Sequence, residues 1–244
     1  MISAAAIEHG ALRMYGSLLA ERELWGGTLV ICCGDVSLFT GAPTAVCIAG
    51  GTALVVGASD KSIRASQREG GLDFVVSSLD EALRTLKNCI RERRPLSVGL
   101  ESEATAVLNE MLERGVAPDF VIYEDTLDPV ETEAVEKLVR GGAAPLDLIA
   151  ADGRGSRVDA WLENKGWLEV QSTAAEGAAL REWNEHLQLV LPKDDERRRR
   201  WLRQAPRYLR GARNGVHSMW LSTGEQRELN AGVGSPNNTG GGKP

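Results

Sequence analysis

The sequence has no long hydrophobic run. No window approaches the roughly 20 apolar residues of a membrane span, so no membrane association is expected. The first residues show no basic-then-apolar leader pattern, and the expected compartment is cytoplasmic. Cysteine is scarce, with four in 244 residues, and no two form a Cys-x-x-Cys pair. That removes zinc-ribbon and dithiol-redox readings. Cys32 and Cys33 are adjacent in one apolar run, and Cys47 and Cys89 fall in others, so buried, reduced thiols are expected. His9, His186 and His217 lie in separate segments without ligand spacing, and no metal site is expected. There is no Gly-x-Ser-x-Gly elbow and no defensible Cys/His arrangement, so no catalytic residue is nominated. Nor is there an excess of positive charge: the net charge of -6 disfavours a general nucleic-acid binder.

What is present is a regular alternation. Short β-branched runs fall at 28–33, 53–58, 73–77, 96–100, 119–123 and 147–151. They are nearly continuous in apolar residues, which suggests strands buried on both faces. Between them lie capped helix patterns. One starts on Ser78 with Glu81 three residues on, a capping box. Another opens on Ser102 and closes at Gly115; a third opens on Asp128 with Pro129 at its first position and closes at Gly141-Gly142. An Ala/Leu/Glu-rich helix over 2–24 precedes the first strand. This pattern predicts an α/β fold: a Rossmann-like three-layer parallel sheet with helices on both faces. Beyond Asp152 helical patterns continue at 155–165, 174–187 and 194–213, and the last residues are rich in Gly, Asn and Pro. The expected organisation is a Rossmann-like domain over 1–152, a helical C-terminal extension over 153–228, and a disordered tail over 229–244.

Three places could carry chemistry. Gly153, Arg154, Gly155 and Ser156 follow a predicted strand and precede a helix pattern; they form either an anion-holding loop or a plain turn with Ser156 as cap. Asp35, Glu101, Glu103, Glu124, Asp125 and Asp128 all fall just past strand ends, as convergent carboxylates or as solvated loop acids and caps. Residues 194–213 carry an arginine-rich helix led by acids. Asp194–Arg198, Asp195–Arg199 and Glu196–Arg200 are i,i+4 pairs, Trp201, Ala205, Tyr208 and Ala212 share one side, and Pro206 would kink or interrupt the helix. A solvated or docking helix is favoured over an acidic partner surface, and that over nucleic acid.

The stretch "LVICCGDVSLFTGAP" at 29–43 is built as strand, turn and helix, where a dinucleotide-binding domain puts its phosphate loop. Its neighbours match a known series in order: Gly26-Gly27-Thr28-Leu29-Val30 entering the first strand, Gly41-Ala42-Pro43, "GGLDFVVSSLDEAL" at 70–83, "RRPLSVGL" at 93–100 and "LNEMLERGVAPDFV" at 108–121. On these motifs, residues 5–130 resemble the central Rossmann-like domain of the urocanase (urocanate hydratase) family. The resemblance implies a dimeric enzyme of histidine catabolism that holds NAD tightly and uses the nicotinamide ring as an electrophile. The family's flanking parts, which supply catalytic side chains, have no visible counterpart here.

Carried onto this sequence, the family's cofactor-facing positions have changed. Gly34 and Pro43 agree with the family loop, and a one-residue slip also aligns Gly41-Ala42; the Gly-Met-Gly that approaches pyrophosphate falls on Ser37, Leu38 and Phe39. Glycine is needed there for close backbone approach. The acid expected for the ribose falls on Gly57, and the following arginine on Ser62, with Arg64 nearby. The family's Gly-Asn-Ala falls on Ser102-Glu103-Ala104, placing a carboxylate near pyrophosphate, and its Gln-Thr-Ser-Ala-His stretch becomes Glu124-Asp125-Thr126-Leu127. The resulting expectation is a frame with a degenerate NAD site, and no cofactor unless the family site survives. The expected function is a pseudoenzyme that binds a small ligand or engages a partner in a regulatory role. The alternatives are an NAD-dependent urocanate hydratase-like lyase and an arginine-rich interaction module. The expected partners are a small molecule or a protein, with homo-oligomerisation plausible.

Overall fold

Strands that are apolar along their whole length set the architecture. The computed structural model describes residues 4–35, 41–123, 129–146, 157–173, 177–209 and 212–233. The first helix, α1 (Ala4–Glu21), leads into β1 (Leu29–Cys33), α2 (Ala42–Ala49), β2 (Thr52–Val56), α3 (Asp60–Glu69) and β3 (Phe74–Val76). Then follow α4 (Leu79–Glu92), β4 (Leu96–Leu100), α5 (Ala104–Glu113), β5 (Phe120–Ile122), α6 (Pro129–Arg140) and β6 (Ala144–Pro145). The six strands form one sheet in the order β3-β4-β2-β1-β5-β6, and every pair is parallel. In register, Ile31 stands beside Leu54 on one side and Val121 on the other.

Burial on both faces explains the unbroken apolar runs. Alternate residues point to opposite layers. Val30, Cys32, Ala53, Val55, Phe120 and Ile122 join a core with α1, α2 and α3. Leu29, Ile31, Cys33, Leu54, Val56 and Val98 join a second core with α4, α5 and α6. The Rossmann-like α/β expectation is thus met. All four cysteines are free and buried, Cys32 in the first core and Cys33 and Cys89 in the second.

The remaining elements are α7 (Arg157–Lys165), β7 (Leu168–Gln171), α8 (Ala178–Val190), α9 (Glu196–Tyr208), β8 (Ser218–Leu221) and α10 (Thr223–Val233). Three expectations need correction. The extension is not purely helical, because β7 and β8 pair antiparallel in a second sheet. A tail does not begin at 229: α10 runs to Val233, and its Leu229 is buried. The sixth strand of the main sheet falls at Ala144–Pro145, where Ala144 N–H donates to the Asp119 carbonyl, and the apolar run at 147–151 lies outside the described residues. The core on the α1 side also runs without a break into Trp183, Trp201 and Trp220, so packing does not mark the expected boundary at 152.

Candidate functional site

In an open parallel sheet the ligand crevice lies beyond the carboxyl ends of the strands where the chain order reverses. From β1 the chain turns to β2 on one side; from β5 it turns to β6 on the other. The reversal point therefore falls past Cys33 and Ile122. The turns immediately beyond, including Ser37, Leu38, Phe39 and Thr126, lie outside the described residues, as do Gly153, Arg154, Gly155 and Ser156. Glu124, Asp125 and Asp128 also lie outside the described residues, and the remaining candidates fall at this edge.

Gly34 is held tightly. It has φ 91°, and its N–H donates to the Val56 carbonyl at 2.9 Å. Gly57 has φ 77°, and a Cβ there would stand 2.9 Å from the Ala104 Cβ and 3.5 Å from the Gly34 nitrogen. So Gly34, Gly57 and Ala104 meet where β1, β2 and the start of α5 converge. Gly41, φ 71°, caps α2 and crosses directly over α1: a Cβ there would lie 2.8 Å from the Ala11 Cβ. Every residue of α2 is buried, which fits its apolar sequence.

The acids at this edge hold the protein's own helix starts. Asp35 Oδ1 accepts from Ser59 N–H at 2.8 Å, and its Oδ2 accepts from the Ser62 hydroxyl at 3.2 Å. Ser59 is the cap of α3 and accepts in turn from Ser62 N–H. Glu103 caps α5, its carboxylate accepting from Thr105 N–H at 2.9 Å and Ala106 N–H at 2.8 Å. The expected cap, Ser102, is displaced by one residue; the longer carboxylate reaches both orphan amides and adds a favourable charge at the positive end of the helix dipole. Arg64 is paired too: its Nη2 donates to Glu101 Oε2 at 2.8 Å and its Nε stands 2.6 Å from Oε1. Asp35, Glu101 and Glu103 therefore serve separate partners. Among the described residues no group of three His, Cys, Asp or Glu side chains could hold a metal. Burial pushes the Cys32 and Cys47 thiols up, so both stay protonated and unreactive.

The arginine-rich segment docks on the body. Asp195 caps α9 by accepting from Arg198 N–H. Arg198 is itself buried and lies over the Trp167 ring, 4.3 Å from its centroid. It donates through Nε to Asp195, through Nη1 to Glu225 Oε2 and the Trp220 carbonyl, and through Nη2 to Glu225 Oε1. Arg197 pairs with Glu23, Arg200 Nη1 donates to the Ala49 carbonyl at the end of α2, and Arg203 pairs with Glu196. Trp201, Ala205 and Ala212 are fully buried, as their shared face suggested, and Tyr208 packs partly against them. Pro206 sits inside α9, which ends two residues later at Tyr208. The expected Asp194–Arg198 pairing gives way to Asp195 at i,i+3, because Arg198 turns inward. Long-range pairs across α1 were not visible in the sequence at all: Glu8 with His217, and His9 with Glu169.

Sheet order, crevice and capped edge together define a Rossmann-like α/β domain with a packed C-terminal extension. Residues 12–126 match the model of the urocanase Rossmann-like domain. Over those residues the chain carries a Rossmann-like domain of urocanase type, and the matched segment stops short of α6 and of the whole extension.

Proposed function

We propose that this urocanase-type domain is not a competent urocanate hydratase and acts without catalysis, binding a small ligand or engaging a partner in a regulatory role. The observation that carries this reading is the pair of carboxylates at the edge: Asp35 occupies the start of α3 and Glu103 the start of α5. A dinucleotide is an anion, and it binds such helix starts through free amides and their positive dipole. Here the amides of Ser59, Thr105 and Ala106 already donate to carboxylates. Displacing such a cap costs about 0.5–2 kcal/mol, before any repulsion between the carboxylate and a phosphate. The ribose-binding acid of the family is replaced by Gly57, which is packed against Ala104 with no room for a side chain, and Arg64 is engaged by Glu101. The described residues at this edge do not fit NAD.

Native mass spectrometry of the purified protein, with and without added NAD, tests this. The expected spectrum is that of the bare chain under both conditions, or of a chain carrying some other small molecule whose mass identifies it. One NAD retained per chain would overturn the reading and make urocanate turnover the next assay.

A further inference from the structure

Two consecutive residues of α1 face the extension and are met by a mirror-image pair. Glu8 is 2% exposed, and its Oε1 accepts from His217 N–H at 2.6 Å and Ser218 N–H at 2.9 Å. Its Oε2 lies 2.9 Å from His217 Nδ1. His9 Nδ1 lies 2.6 Å from Glu169 Oε1 on β7. So α1 contributes one acid and one histidine, and the complementary pair is Glu169 on β7 and His217 immediately before β8. Strand pairing sets Glu169 opposite Trp220, two residues from Ser218, which keeps both contacts on one small sheet.

We propose that this reciprocal pair of His–Glu contacts is a pH-responsive clasp that fastens the C-terminal extension to α1. Glu169 and Arg13 act on His9, and Arg13 is itself paired with Asp159 of α7; Glu8 faces His217. With both histidines protonated each contact is a charge-assisted hydrogen bond, and the buried Glu8 carboxylate has a counter-charge. With both neutral, Glu8 keeps its backbone donors but loses that counter-charge, and His9 holds Glu169 by an ordinary hydrogen bond. Hydrogen bonding to Glu169, opposed by burial, raises the His9 pKa above its usual value. A group whose folded pKa is raised stabilises fully below its unfolded value, about 6.5 for histidine, and that contribution is lost as pH rises through the folded value. The clasp therefore grips in mildly acidic solution and loosens towards alkaline pH. Its position gives the change reach, because Ala11, within one turn of Glu8 and His9 on α1, lies directly under Gly41 at the candidate edge.

The test is amide hydrogen exchange on the full chain at pH 6 and pH 8.5, corrected for intrinsic rates, with melting midpoints at both values. At pH 8.5 the protection of the β7–β8 amides should fall about fivefold relative to those of β1. The midpoint should fall about 2–4 °C more than in a His9→Gln/His217→Gln variant, which should have lost this part of the pH dependence. His186→Gln is the control, since that ring meets the Glu182 carbonyl and not a carboxylate; it should keep the wild-type response. A double variant that retains the full pH response would overturn the proposal. So would β7–β8 and β1 amides that change in parallel. If the double variant does not fold, His9→Gln alone should abolish about half of the response, and an unchanged response would refute the clasp.

Discussion

Replacing Arg198 with alanine should be among the most damaging single changes outside the sheet. The guanidinium side chain is 3% exposed, and its partners Asp195 and Glu225 are 15% and 14% exposed. Alanine removes the donors to both carboxylates and to the Trp220 carbonyl, and takes the cation from the face of Trp167. It leaves two poorly solvated acids without their counter-charge. Breaking a buried pair in this way costs about 3–5 kcal/mol, and the partial exposure of the acids places the expected loss at the lower end, about 3 kcal/mol. For a chain of this size that is a fall of roughly 6–12 °C in melting midpoint. Urea unfolding followed by tryptophan fluorescence reads it directly, since Trp167, Trp201 and Trp220 surround the site. The comparison is Arg203→Ala on the same helix, whose pair with Glu196 is half exposed and worth about 0–1 kcal/mol. A pH arm sharpens the test. Burial alone would raise the Glu225 pKa, but the paired hydrogen bonds from Arg198 outweigh it and hold the carboxyl below its usual range. A depressed folded pKa gives stability that is present above the unfolded value, about 4.3, and lost as pH falls through the folded value. The gap between wild type and Arg198→Ala should therefore be full at neutral pH and shrink in acid. If Arg198→Ala costs no more than Arg203→Ala, or if the gap ignores acid, the buried-charge account is wrong.

Two further outcomes follow from packing. Gly57→Ala should cost about 1–3 kcal/mol more than Gly115→Ala, because both sites have positive φ but only Gly57 would drive a Cβ into Ala104; equal losses by urea unfolding would show that the contact yields freely. None of the four thiols should react with a disulfide reagent in the native protein and all four should react in denaturant, so rapid labelling of Cys32 or Cys33 under native conditions would contradict their burial.

The frame was legible because its signals are local or repetitive. The strands β1, β2 and β4 are buried along both faces and so read as unbroken apolar runs. Ser78 caps α4 through Glu81 N–H as its spacing suggests, since cap and amide are three residues apart. The inward stripe of α9 followed from helical periodicity. What stayed hidden depends on distance in sequence or on closely matched local choices. Two residues at a sheet edge, Ala144 and Pro145, carry little pattern, so the stronger apolar run after them drew the expectation. Ser102 and Glu103 are both plausible caps, and only the backbone path decides that Glu103 reaches the free amides. Asp35 meets Ser59 across 24 residues, and Glu8 meets His217 across 209; nothing local marks either partner.

The candidate edge differs from the frame in what fixes its residues. A core position is held by volume on all sides, whereas a helix start at the carboxyl edge needs only that its first amides find an acceptor. A bound anion can supply that acceptor, and so can a nearby carboxylate. In this chain the carboxylates of Asp35 and Glu103 supply it, so α3 and α5 are complete without a ligand. The sheet, its two cores and its crossovers therefore do not depend on what occupies those helix starts. The same reasoning locates any retained binding capacity elsewhere on the crevice. The ends of β1 and β5 flank the reversal point, whereas α3 and α5, whose starts Asp35 and Glu103 serve, follow β2 and β4. A ligand identified by its mass should therefore lose affinity on substitution at the carboxyl ends of β1 and β5 and tolerate Glu103→Gln.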